Sequence, residues 1–139
     1  MAERSELLGL EFERAGMTGV VARCLAWCQG PRTSHIVVTA NASHLCMMRR
    51  DGALRQACQA ADLAVADGMS VVWALKLLGR PVPERVAGID LMTRLLEAGD
   101  THGLRVYLLG ARAEVVQTLV DRCQQRYPGL ILAGARDKG

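Results

Sequence analysis

Apolar residues recur at helical spacing over residues 17–29, through Val20, Val21, Cys24, Leu25 and Cys28, and Gly30-Pro31 stops that helix. The period then changes. His35-Ile36-Val37-Val38-Thr39-Ala40 is short, apolar and β-branched, which predicts a strand buried on both faces. From Ser43 to about Ala61 the spacing is helical again, with a break near Asp51-Gly52. Leu63-Ala64-Val65 is a second, shorter strand that runs out into Ala66-Asp67-Gly68. A strongly apolar helix, Met69 to Leu78, follows at once and ends at Gly79; Pro81 and Pro83 mark a loop. Ile89 to Ala98 is another helix, stopped at Gly99. Leu104 to Leu109 is a third strand that turns at Gly110 into a helix from about Ala113 to Arg126. Tyr127-Pro128-Gly129 breaks the chain before a fourth strand, Leu130-Ile131-Leu132-Ala133. Strands alternating with helices predict an α/β fold, a Rossmann-like parallel sheet with helices on both faces.

At 139 residues the chain is expected to form a single domain over 1–139, long enough for a real core. Half the residues are hydrophobic but only 4% are aromatic, so Leu, Val and Ala must build that core. The formal charge of +3 is mild, and the densest basic cluster, Arg49-Arg50, has no aromatic residues interleaved, so nucleic acid is not an expected partner. Fifteen of the 17 basic residues are Arg, which suits bidentate grips on phosphate or carboxylate; a biased genome composition gives the same excess. The five cysteines, at 24, 28, 46, 58 and 123, fit no zinc spacing and read as small buried hydrophobes in a reducing compartment. No secretory signal opens the sequence and no stretch of about eighteen apolar residues exists, which places the chain in the cytoplasm.

The residues with chemistry gather where the pattern puts strand ends. Open α/β sheets hold ligands at the carboxyl ends of their strands. The first strand ends there in Thr39-Ala40-Asn41, a hydroxyl and an amide suited to ribose, uracil or sugar hydroxyls, although Asn41 or Ser43 could equally cap the next helix. The second strand delivers Asp67 to the same edge, either as a general base or as the cap of the helix that begins near Met69. Gly68 beside it would let a ligand approach the backbone closely. Asp62 starts that strand, so its side chain belongs to the opposite end and reads as structural. Arg80 and Arg85 flank the proline loop, placed either to neutralise a diphosphate or to pair with Glu84 or Asp90. Leu108-Leu109-Gly110-Ala111-Arg112 is a strand-turn-helix whose amides could cradle phosphate, without the Gly-x-Gly-x-x-Gly fingerprint. His35, His44 and His102 have no ligand spacing, and no Asp-x-Asp pair is present to hold a divalent ion.

Six segments in order resemble the WecG/TagA/CpsF glycosyltransferase family. They are Thr39-Ala40-Asn41, Asp67-Gly68, Leu78-Gly79, Arg85-Val86-Ala87-Gly88-Ile89-Asp90-Leu91, Leu108-Leu109-Gly110 and Tyr127-Pro128-Gly129-Leu130. The resemblance runs from about residue 35 to the end, and the departure is Ala66 where many members have Pro before Asp-Gly.

The resemblance implies an inverting transferase that moves a sugar, often of N-acetylmannosamine type, from a UDP-sugar to a polyprenyl-diphosphate-linked acceptor in cell-surface polysaccharide synthesis. It implies Asp67 as the catalytic base, Arg85 near the donor's phosphates or the reaction centre, and Thr39 and Asn41 lining the pocket; the strand-end pattern adds Gly68 and Gly110 as backbone contacts. No cofactor or metal is implied. The expected partners are the donor, the lipid-linked acceptor, the cytoplasmic membrane face as a peripheral surface, and a second copy in a homo-oligomer. The family usually continues well beyond the length seen here, so the expectation is a domain short of the family's C-terminal part, with a fourth strand that no helix covers. The alternative from another class is a non-catalytic nucleotide-binding or interaction domain.

Overall fold

The computed structural model describes residues 4–139. Its elements, in chain order, are β1 (Arg4–Leu7), β2 (Leu10–Glu13), α1 (Met17–Gln29), β3 (Val37–Ala40), α2 (Ala42–Arg50), α3 (Gly52–Gln59), β4 (Leu63–Ala66), α4 (Met69–Leu77), α5 (Gly88–His102), β5 (Arg105–Leu109), α6 (Ala113–Arg126) and β6 (Ile131–Arg136). From α1 onward, helices separate each strand from the next, the order of an α/β chain. Among the described residues the strands form three two-stranded sheets: β1 with β2, β3 with β4, and β5 with β6. The first is antiparallel and the other two are parallel. The chain divides into two compact units, one reaching as far as Leu91 and the other running Met92–Gly139.

In the first unit the core is built on β4, whose four residues are all buried. Ala64 and Ala66 meet Leu10 and Phe12 of β2, Leu45 and Met48 of α2, and Val71 and Leu75 of α4. The small alanines let these elements come close without aromatic bulk. The β1–β2 hairpin is the element that the hydrophobic pattern does not announce. Two of its inward residues are polar: Ser5 and Glu13 are 1% and 5% exposed. Each is satisfied from outside the hairpin pair, Ser5 Oγ by Arg14 Nε at 2.8 Å and Glu13 by Arg23 at 3.0 Å. A buried carboxylate with a partner of this kind is tolerated, where an unpaired one is not. The hairpin turns through Leu8 and Gly9, both at positive φ (51° and 84°), the form that matches strand twist and normally selects Asn-Gly.

Helix ends follow local chemistry. Asp51 separates α2 from α3, accepting the Leu54 N–H on its side chain and giving its own N–H to Met47. After α4, Gly79 adopts φ 72°, while its N–H reaches Lys76 C=O and the Arg80 N–H reaches Leu75 C=O. That pair of bonds closes the carboxyl end in a Schellman motif. The expected stop of the next helix at Gly99 is not observed: α5 runs on to His102, and Gly103, at φ 65°, ends it. Gly99 is buried instead because Leu130 occupies the space a β-carbon would need.

In the second unit Leu96, Cys123 and Tyr127 form the core with Val106, Leu108, Leu130 and Leu132. The last strand is longer than its apolar run, since it continues through Gly134 to Arg136, with an irregularity opposite Val106 and Tyr107. The Tyr107 ring covers Gly134, which has no side chain to displace it.

Candidate active site at the carboxyl ends of β3 and β4

The register Thr39 to Val65 and Ala40 to Ala66 brings the two strand ends level, and the Asp67 N–H continues the ladder to Ala40 C=O at 3.0 Å. Asn41 and Asp67 therefore leave the sheet side by side. Thr39, Asn41, Asp67 and Gly68 converge within the first unit; a β-carbon at Gly68 would stand 3.8 Å from Asn41 Cβ. Thr39, Asn41, Asp67 and Gly68 are all half-buried.

Asp67 does cap a helix, although a different one from the helix that follows it in sequence. Its Oδ2 accepts the Gly88 N–H at 3.1 Å, at the start of α5. A carboxylate at a helix amino end is stabilised both by the bond and by the helix dipole. The loop before α5 is tied to the same place, because the Val86 N–H reaches Ala66 C=O at 2.8 Å. Gly88 sits so close that a β-carbon there would lie 2.9 Å from Thr39 Oγ1 and 3.4 Å from Asp67 Oδ2. Gly88 is thus a site residue that the sequence pattern did not single out. Its signal lay in the Arg85-to-Leu91 segment, which was read through Arg85.

Helix α4, meanwhile, starts at Gly68 (φ 152°) with no side-chain cap. Among the described residues no side chain caps its first turn, and free amides at a helix start suit an anion. Asn41 caps α2: its Oδ1 accepts the His44 N–H at 3.0 Å, and His44 Nδ1 accepts the Asn41 N–H at 3.2 Å. The Asn41 amide NH2 is left over to donate.

Arg85 is exposed, on the loop that Val86 anchors beside Ala66. Among the described residues no ion pair joins Arg80 or Arg85 to Glu84 or Asp90. Glu84 accepts the Met17 N–H at 2.8 Å and so serves the amino end of α1, while Arg80 donates to Glu6 C=O at 3.1 Å. Gly110 belongs to the second unit, where it closes β5 at φ 113° and gives its N–H to Arg136 C=O.

The opposite end of the β3–β4 pair is structural, as expected of Asp62. Its Oδ2 accepts the Ile36 N–H at 2.7 Å, and its Oδ1 lies 3.3 Å from His35 Nδ1. The Ile36 N–H first, and the His35 hydrogen bond after it, hold the Asp62 carboxyl below the usual carboxylate range. His35 stacks on Trp27 with ring centroids 4.2 Å apart. Of the cysteines, Cys24, Cys58 and Cys123 are buried while Cys28 and Cys46 are exposed, which corrects the expectation that all five are internal. Burial pushes the Cys24 and Cys123 thiols up. No group of three or more His, Cys, Asp or Glu side chains converges among the described residues.

These features define an α/β protein with a polar crest at the carboxyl ends of two parallel strands, one carboxylate at its centre and helix amino ends turned toward it. The chain belongs to the WecG/TagA/CpsF glycosyl transferase family, whose model matches residues 5–139. It is similar to the N-acetylglucosaminyldiphosphoundecaprenol N-acetyl-beta-D-mannosaminyltransferase of Bacillus spizizenii, with 30% identity over 128 residues, 92% of this chain and 50% of that protein. The protein of the same name from Staphylococcus aureus is 32% identical over 129 residues, 92% of this chain and 51% of its own length. The chain spans about half the length of the curated relatives it matches.

Proposed function

We propose that this chain carries the base-bearing part of an inverting glycosyltransferase that moves an N-acetylmannosamine-type sugar from a UDP-sugar to a polyprenyl-diphosphate-linked acceptor. The observation that carries the reading is the convergence of Thr39, Asn41 and a Gly88-anchored Asp67 at one strand edge, in a member of this family. The names of the two relatives, both acting on an undecaprenol-diphosphate-linked sugar, support the acceptor class. The two units are read as parts of one Rossmann-like domain.

In the proposed step Asp67 takes the proton from the acceptor hydroxyl as its oxygen attacks the anomeric carbon on the face opposite UDP. The new C–O bond forms as the bond to the diphosphate breaks, and UDP leaves with the electron pair. The uncapped amides of α4 and the Arg85 guanidinium receive that growing charge, the kind of prearranged stabilisation that lowers barriers most. Thr39 and the Asn41 NH2 orient sugar or ribose hydroxyls, and Gly68 admits the substrate to the backbone. A lipid-linked acceptor sets the work at the cytoplasmic membrane face with the protein peripheral to it. Among the described residues no helix is long and apolar enough to cross a membrane.

Incubation with UDP-N-acetylmannosamine and an N-acetylglucosaminyl-diphosphate lipid should release UDP and yield a disaccharide lipid with inverted anomeric configuration. Absence of both transfer and UDP binding overturns the reading, and retained configuration overturns its mechanism.

A further inference from the structure

We propose that an apolar slot between the β1–β2 turn, α2 and α4 seats the isoprenoid chain of the acceptor, an inference that rests on the transferase reading above. The slot is an open groove of about 180 Å3 walled by Leu8, Leu45, Val71 and Ala74, and among the described residues no charged side chain lines it. Such a lining offers the polar groups of a sugar or a diphosphate few partners and favours hydrocarbon. One end is formed by Ala42 and Ser70. Ala42 directly follows Asn41, and Ser70 lies two residues beyond Gly68, so the slot opens beside the crest. A hydrocarbon lying in it is therefore placed to be joined to the group that reacts at Asp67.

A second, independent feature marks the slot as a binding surface. Leu8 holds φ 51° in a turn that favours Asn or Gly, and it is nevertheless 53% exposed. A bulky non-glycine residue in this region is strained, and the strain is not offset by burying its side chain. What Leu8 does is present hydrocarbon at the rim of the slot. Met69 and Trp73, on the same helix α4 as Ser70, Val71 and Ala74, are exposed apolar side chains too.

The test measures binding of inorganic diphosphate, farnesyl diphosphate and geranylgeranyl diphosphate to the chain, with no sugar donor present. Affinity should rise with isoprenoid length on the same diphosphate head. Leu8→Asn should lower geranylgeranyl diphosphate affinity about three- to tenfold, the worth of a half-exposed leucine becoming covered. It should leave inorganic diphosphate unchanged and keep or raise Tm, because Asn suits the turn. A purely structural Leu8 would instead lower Tm and leave the length dependence intact. Ala74→Phe, which fills the slot, should abolish the length dependence; should that variant fail to fold, Leu8→Asn on the exposed turn still decides. Equal affinity for all three ligands, or unaltered length dependence in a folded variant, overturns the assignment. So does a self-association that Leu8→Asn abolishes without any isoprenoid effect, since that makes a second copy the occupant. Because no transfer is measured, an inactive protein that binds isoprenoid in this way counts against the transferase reading alone.

Discussion

Asp67→Asn separates the observed role of this carboxylate, holding the start of α5, from its proposed role as the base. Asn retains an oxygen that can accept the Gly88 N–H, now 3.1 Å from Oδ2, so the start of α5 keeps its partner. What disappears is the charge. A hydrogen bond to a charged group contributes about 1.5–3 kcal/mol, against about 0.5–1.5 kcal/mol for a neutral one. A negative charge at a helix amino end contributes about 0.3–1 kcal/mol. These overlap, because the same amide is counted in both, and water screens a half-buried carboxylate, so the expected loss is about 1 kcal/mol. For a domain of this size that is a Tm decrease of about 2–5 °C. The proposed proton acceptor, by contrast, is lost completely, and general-base catalysis is worth roughly 10²–10⁴ in rate. Donor binding should change little because the shape is preserved. Thermal unfolding, UDP titration and transfer to an N-acetylglucosaminyl-diphosphate lipid measure the three quantities separately. Turnover near that of the unaltered protein would refute the catalytic assignment and leave Asp67 as the anchor of α5.

Arg85→Ala should weaken UDP-sugar binding or turnover, and Arg85→Lys should restore only part because it lacks the planar fork; unchanged titrations and rates for both variants would remove Arg85 from the site. Gly88→Ala pushes a β-carbon to 2.9 Å from Thr39 Oγ1, so the amide must shift and carry Asp67 with it. Turnover should fall about tenfold, given that a 1 Å misplacement can cost about 10²-fold, and full activity with a raised Tm would show that the crowding is absorbed elsewhere. Asp62, whose folded pKa is depressed by the Ile36 N–H and then His35, supplies stability above the ordinary carboxylate value of about 3.9. That contribution is lost as pH falls through its lowered folded value. Asp62→Asn should therefore lower Tm at neutral pH and flatten the decline below about pH 4; an acid limb parallel to that of the unaltered protein would contradict the assignment.

What could be read from the sequence was whatever repeats locally. Helix α1 spans the predicted residues 17–29 because its apolar period is uninterrupted until Gly30. The gathering of Thr39, Asn41, Asp67 and Gly68 at one edge was legible because consecutive parallel strands end level, so Asn41 and Asp67 needed no long-range knowledge to be placed together. The hairpin stayed hidden because its buried positions Ser5 and Glu13 are polar and its turn carries Leu where Asn is usual. Only the partners Arg14 and Arg23 reveal why those residues are inside. Gly99 misled in the opposite direction: a glycine needed for a close approach to Leu130 looks the same in sequence as one that ends a helix. The link from Asp67 to Gly88 crosses 21 residues, and no periodicity reports a contact at that range.

Leu8 also bears on how this protein would respond to selection. A population screened only for heat resistance gains from relieving a strained turn residue, and position 8 offers that relief through one substitution on an exposed surface, where little else depends on it. On the proposed lipid slot, such a screen would enrich variants that melt later and hold isoprenoid less well, with no sign of the loss until an isoprenoid ligand was offered. Stabilising libraries built on this fold should therefore hold residue 8 fixed and look for their gains at the other end of β3 and β4.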